Sequence, residues 1–199
     1  MKNKKKTGIQ NLEDSLALQF PWQKQRLNFL SQFLLGLIVV RTVNLKVIAN
    51  TFSGRAKKDS VYKRIQQFFK GFSLDSLQIA RFILTLIPKG PYWLTMDRTN
   101  WKFGKQNINI LTVGIVYKGI AFPLFWKMLS KQGNSNTTER KEIIRKACKF
   151  LGKKNIVGFL ADREFVGKDW FHFLRKEKIP FVIRVKENFL IPGTKKRHI

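Results

Sequence analysis

The chain has 199 residues, 44% of them hydrophobic, and 39 lysines and arginines against 12 aspartates and glutamates, a formal net charge of +27. That charge opposes compaction unless a polyanion offsets it, which points to nucleic acid as partner. One cysteine and two histidines exclude a disulfide framework and a cysteine- or histidine-based metal site.

Residues 1–14 are polar and basic and read as a flexible tail. No apolar region of signal-peptide type follows. Gln23 to Val40 places Leu27, Leu30, Phe33, Leu34, Leu37 and Ile38 at helical spacing. Its most apolar part, from Phe29, is about a dozen residues long, short of the roughly 20 that span a bilayer. Asn44 is a cap for a short helix over Leu45 to Phe52. Ser53 to Asp59 is a basic turn. Ser60 opens a helix to Lys70 with Val61, Ile65, Phe68 and Phe69 inward, and Gly71 ends it. Ser73 opens another, with Leu74, Leu77, Phe82 and Leu86 inward, closed by Pro88-Lys89-Gly90. Residues 15–88 therefore read as an all-helical, DNA-binding domain. Short helix, basic turn and second helix are compatible with a helix-turn-helix module. Arg55, Lys57, Lys58, Lys63 and Arg64 are its candidate DNA contacts, or else a solvated basic face.

After Gly90 the texture becomes that of strands, and residues 91–190 read as one α/β domain. An apolar run from Tyr92 ends at Asp97, with a polar turn over Trp101 to Asn107. Ile108 to Tyr117 and Ile120 to Leu129 complete a meander, joined by a turn at Lys118-Gly119. Pro123 belongs on an edge or at a bulge. Asn136 with Glu139 forms a capping box for a helix burying Ile143, Ile144, Ala147 and Leu151. Cys148 on that helix is a small apolar filler. Ile156 to Ala161 is continuously apolar, as a buried strand is, and ends at Asp162. A helix around Trp170 and a strand over Pro180 to Val185 follow. Residues 191–199 are a polar tail.

The order is β-β-β-α-β-α-β. A right-handed crossover lets the first and fourth strands lie parallel and adjacent. Asp97 and Asp162 then emerge at one sheet edge. Two carboxylates that close repel unless a divalent cation sits between them, and Mg²⁺ suits such an oxygen site. The plainer alternative is that each aspartate caps the loop after its strand. Arg98 and Arg163 touch DNA phosphates or balance the carboxylates. Arg184 and Lys186 share one strand face and line a DNA path, or are solvated. Trp101 either stacks on a base or packs at the rim.

Several blocks occur in order: Asp97-Arg98-Thr99-Asn100-Trp101 with Gly104, Gly133-Asn134-Ser135-Asn136-Thr137, Asp162-Arg163-Glu164-Phe165 with Gly167 and Trp170, and Ile183-Arg184-Val185-Lys186-Glu187-Asn188. Together they resemble the IS4 family of bacterial insertion-sequence transposases over residues 91–190, and weakly before. The resemblance implies an RNase H-like fold and a DDE catalytic triad, with Asp97 and Asp162 as the first two acids. They would hold Mg²⁺ or Mn²⁺, two ions in a complete member. The implied reaction is DNA strand cleavage at element ends followed by strand transfer. The implied partners are terminal inverted repeats and target DNA, with room for a homodimer on DNA, in the bacterial cytoplasm at the nucleoid and not at a membrane. The third acid of that family lies in a Tyr-x2-Arg-x3-Glu-x6-Lys motif, which does not occur here. Neither Glu164 nor Glu187 is placed to replace it. The chain is accordingly expected to be a truncated transposase, inactive alone. The alternatives are a non-catalytic DNA-binding derivative and an RNase H-like nuclease.

Overall fold

The computed structural model describes residues 7–73 and 75–186. The chain divides into two compact units, Met1–Gln78 and Ile79–Ile199.

The first unit is helical: α1 (Gly8–Ala17), α2 (Lys24–Val40), α3 (Leu45–Ala49) and α4 (Lys58–Lys70). The helix α1 overlaps the stretch expected to be a tail. Thr7 and Gln10 close a reciprocal capping box at its start. Glu13 is buried there, and its carboxylate accepts from Asn28 Nδ2 at 2.8 Å. Those two interactions offset the polarity that argued for fraying. Phe29, Phe33, Ile48, Phe52, Val61 and Ile65 form the unit's core. The helix α4 starts two residues before Ser60. Its cap position is Lys57, which makes no side-chain capping bond.

Helix α5 (Ser76–Thr85) begins three residues later than Ser73 suggested, after Asp75 Oδ1 accepts the Leu77 N–H. The expected inward placement of Leu74 lies outside the described residues. Ala80 and Ile87 are buried in the second unit's core.

The second unit is a five-stranded mixed sheet with the order β3-β2-β1-β4-β5. Its strands are β1 (Tyr92–Phe103), β2 (Gln106–Tyr117), β3 (Ile120–Met128), β4 (Ile156–Ala161) and β5 (Phe181–Ile183), with α6 (Thr137–Leu151) before β4 and α7 (Lys168–Lys176) after it. The first three strands pair antiparallel, and β4 joins β1 in parallel. This is a mixed α/β sheet, in the expected element order. One sheet face carries Leu94, Met96, Leu111, Val113, Phe125 and Phe159. They are buried in one core with Ile143, Ile144 and Ala147 of α6 and Trp170 and Leu174 of α7. Half-buried Cys148 packs against it as a free thiol, which burial pushes up in pKa. The other face shows Trp93, Asp97, Trp126 and Val182 to solvent. Alternation along each strand produces that division.

Two local forecasts hold at β3. It is the sheet's edge, and its register slips between Val113 and Gly114, where Pro123 stands opposite Gly114. A Cβ on Gly114 would come 2.7 Å from the Phe122 carbonyl oxygen, so only glycine fits. The polar turn expected over Trp101 to Asn107 is corrected. Strand β1 runs on through Phe103, and an unbroken register pairs it with β2 down to Phe103↔Gln106. Gly104, with φ at +59°, makes the tight turn. The last strand covers only Phe181–Ile183, shorter than expected. No helix among the described residues is long and apolar enough to cross a membrane.

Candidate active site

The parallel pairing of β1 with β4 fixes the site. Its last pair is Met96↔Ala161. Asp97 and Asp162 are the next residues on two strands about 5 Å apart. Both are exposed. Both line one open groove, together with Thr95, Leu160, Val182 and Arg184.

Each carboxylate is oriented the same way. Asp97 Oδ1 accepts the N–H of Arg98 at 2.7 Å, and Asp162 Oδ1 accepts that of Arg163 at 2.7 Å. Asp162 thereby caps the 3₁₀ turn Arg163–Phe165. The capping alternative is thus present, but it uses one oxygen of each pair. The second oxygen of each has no hydrogen bond within the protein among the described residues. Two oxygen donors facing open solvent fit a hard divalent cation that keeps part of its water shell. Among the described residues, no group of three histidines, cysteines, aspartates or glutamates is gathered for a metal. Glu187 lies outside them.

Glu164 does not reach toward the pair. Its Oε2 accepts from Arg98 Nη2 at 3.0 Å, with the two side chains 26% and 11% exposed. This corrects one expectation: Arg98 is turned away from solvent and paired with Glu164, so its side chain does not stand open to a phosphate. The pleat explains it: if Asp97 faces the open side, Arg98 must face the other. There Arg98 also donates to Asn134 Oδ1 at 3.1 Å and to Asn109 Oδ1 at 3.4 Å, the latter a long contact.

Asn109 is 1% exposed, and its Nδ2 donates to the carbonyls of Lys131 and Gly133 at 2.9 and 3.0 Å. Arg140, also buried, donates to Ser135 Oγ and to the carbonyls of Ser135 and Glu164. Burial lowers the Arg140 pKa, partly countered by the charge of Glu164. This network ties the loop before α6 to the ends of both aspartate-bearing strands. Sequence reasoning missed it. The available signal was an asparagine inside the β-branched run Ile108-Asn109-Ile110, since a polar residue on a covered strand face needs partners.

The remaining candidates fall into two groups. Arg163, Arg184 and Lys186 are exposed, and Arg184 lines the groove, its N–H bonded to the Ala161 carbonyl at 3.1 Å. Arg55, Lys57, Lys58, Lys63 and Arg64 are exposed on the helical unit. Two of these carry local roles as well. Lys58 Nζ donates to the Asn50 and Phe52 carbonyls at 3.1 Å, closing the end of α3. The Arg64 guanidinium lies 5.3 Å from the centre of the Phe29 ring.

No family model matches the chain, and no curated protein matches it. Among solved structures it is similar to the HTLV-2 integrase catalytic core domain in complex with magnesium, in its dimeric form, with 16% identity over 47% of this chain and 61% of that one, at a TM-score of 0.37. It is similar to a simian T-cell lymphotropic virus intasome in complex with the PP2A regulatory subunit B56 gamma, with 9% identity over 57% and 45% and a TM-score of 0.39. The large terminase of a thermophilic bacteriophage matches with 19% identity over 49% and 23%, at 0.32. The chain thus spans less than two thirds of the length of each. These are low likenesses of fold.

Proposed function

We propose that the chain is a DNA strand-transfer protein of the IS4 insertion-sequence transposase type, and that Asp97 and Asp162 are its metal-holding acids. One observation carries the reading: the parallel β1–β4 register leaves two carboxylates side by side at one sheet edge. The ordered sequence blocks and the +27 charge support it.

A divalent ion held there would supply Lewis acidity to a phosphate under attack. The chain's own groups do the rest. Arg163 and Arg184 stand beside the carboxylates and hold the DNA backbone. The Arg98–Glu164 pair fixes the two strand ends relative to each other. The basic face of the helical unit binds the element end as duplex, through Arg55, Lys57 and Lys63 above all.

A second reading, a DNA-binding protein without catalysis, is favoured by the engagement of Glu164 with Arg98, which leaves two acids at the site among the described residues. On that reading the site holds its ion weakly, and the chain binds DNA without cleaving it. The test is Mn²⁺ titration followed by the paramagnetic signal of the free ion. Wild type should bind Mn²⁺ weakly, and Asp97→Ala and Asp162→Ala should each abolish binding. Equal binding by all three proteins would remove Asp97 and Asp162 from the site. Metal-dependent cleavage of DNA by wild type, lost in Asp97→Ala, would overturn the non-catalytic reading.

A further inference from the structure

The β1–β2 hairpin is longer than the sheet requires. Strand β4 pairs with β1 only as far as Met96, and β3 pairs with β2 only from Ile110 onward. Beyond those points β1 and β2 pair with each other alone, to the turn at Gly104. The overhang, Asn100–Phe103 paired with Gln106–Asn109, is roughly 14 Å at about 3.4 Å per residue. Arg98 and Asn109 root it in the polar network. Past them Thr99, Asn100, Trp101, Lys102, Lys105 and Asn107 are all exposed.

Trp101 stands out on this arm. The residue is 48% exposed, while Trp170 in the core is fully buried. The unbroken register carries the alternation from Asp97 through Thr99 to Trp101. The indole therefore lies on the same strand face as the Asp97 carboxylate, roughly 13 Å along. The arm's charges beyond its root are the lysines 102 and 105, and no acid accompanies them. By the same alternation Lys102 lies on the arm's other face and Lys105 in the turn at its tip. An exposed ring on an arm that carries only cations is the chemistry that grips a base and its backbone.

We propose that this arm binds the DNA strand leading to the reacting phosphate. Trp101 stacks on an unpaired base, and Lys102 and Lys105 neutralise neighbouring phosphates. At about 3.4 Å per nucleotide, that base lies about four nucleotides from the phosphate held at Asp97 and Asp162. The favoured substrate is a duplex with an opened end. This rests on the strand-transfer reading of the two aspartates.

The test uses the full chain and one labelled oligonucleotide, offered single-stranded, as blunt duplex and as duplex with an unpaired end. Anisotropy titrations are run in EDTA, so that strands stay intact. Trp101→Ala should weaken binding of the single-stranded and open-ended probes about 5- to 150-fold, the range of one base–aromatic stack. Trp101→Phe should retain most of it, and the blunt duplex should change little. Replacing Lys102 and Lys105 by alanine should flatten the salt dependence by roughly 1–2 in log–log slope. Unchanged binding in Trp101→Ala, or equal losses in the alanine and phenylalanine variants, would overturn the stacking role while leaving the metal site standing. A wild-type chain that binds none of the probes would sink the strand-transfer reading itself.

Discussion

Two guanidiniums surround one carboxylate at the root of the site, and the imbalance sets an order of mutational effects. Arg98 bonds Glu164 directly, Arg140 bonds its backbone carbonyl, and the two cations repel each other across it. Removing one partner of a buried pair costs about 3–5 kcal/mol. The Glu164 side chain is 26% exposed, so solvent screens part of that, and about 2–3 kcal/mol is expected for Glu164→Leu. It leaves Arg98 and Arg140 repelling each other with only the weaker attraction of Glu139 for Arg140 to offset it. Arg98→Met should cost less, about 1–2 kcal/mol, because Glu164 still has Arg140 nearby. The double variant should be more stable than Glu164→Leu alone, since it leaves one cation without a stranded neighbour. The assay is urea unfolding followed by circular dichroism. With a slope of about 2 kcal/mol per molar, Glu164→Leu should lower the midpoint by about 1 M. Equal costs for the two single variants, or a double variant whose cost is their sum, would refute the two-cations-one-anion account.

Gly114→Ala should destabilise the sheet by about 1–3 kcal/mol, because the new methyl has to displace the Phe122 backbone and not a side chain. A melting temperature within error of wild type would show that β3 does not press on β2 there. Asn136→Ala removes the side-chain cap of α6 and should cost about 1 kcal/mol in thermal melting. The capping partner Glu139 adds a pH dependence. Burial raises its pKa, but the Asn136 N–H and the Lys131 ammonium outweigh this and hold it below its usual 4.5. Its stabilisation is therefore complete above about pH 4.5 and lost as pH falls through the lowered value, so acid melting curves of wild type and Glu139→Gln should converge at low pH. Curves that stay parallel down to acid would exclude the carboxylate as the cause.

What was legible in the sequence was what neighbours along the chain decide. The Asn136–Glu139 box, the placement of Pro123 at an edge bulge and the strand that stops just before Asp162 each depend on a few adjacent residues. The strand order followed from one handedness rule. The arm from Thr99 to Gln106 was not legible, because both of its faces meet solvent and no apolar alternation marks it as strand. Only its register with β2 reveals it. Helix α1 was hidden for a related reason. Its buried Glu13 is satisfied by Asn28, fifteen residues on, and such a partner cannot be read from polarity. Arg98 is the instructive case. The repeated Asp-Arg pair suggested one role for both arginines. Period-two alternation already denied it: on a strand, an aspartate on the open face puts its neighbour on the covered one. Arg163 escapes that constraint because β4 ends at Ala161 and Arg163 opens a 3₁₀ turn. The same two-letter motif thus gives a covered tether within β1 and an exposed cation after β4. The difference is set by whether the strand continues past its aspartate.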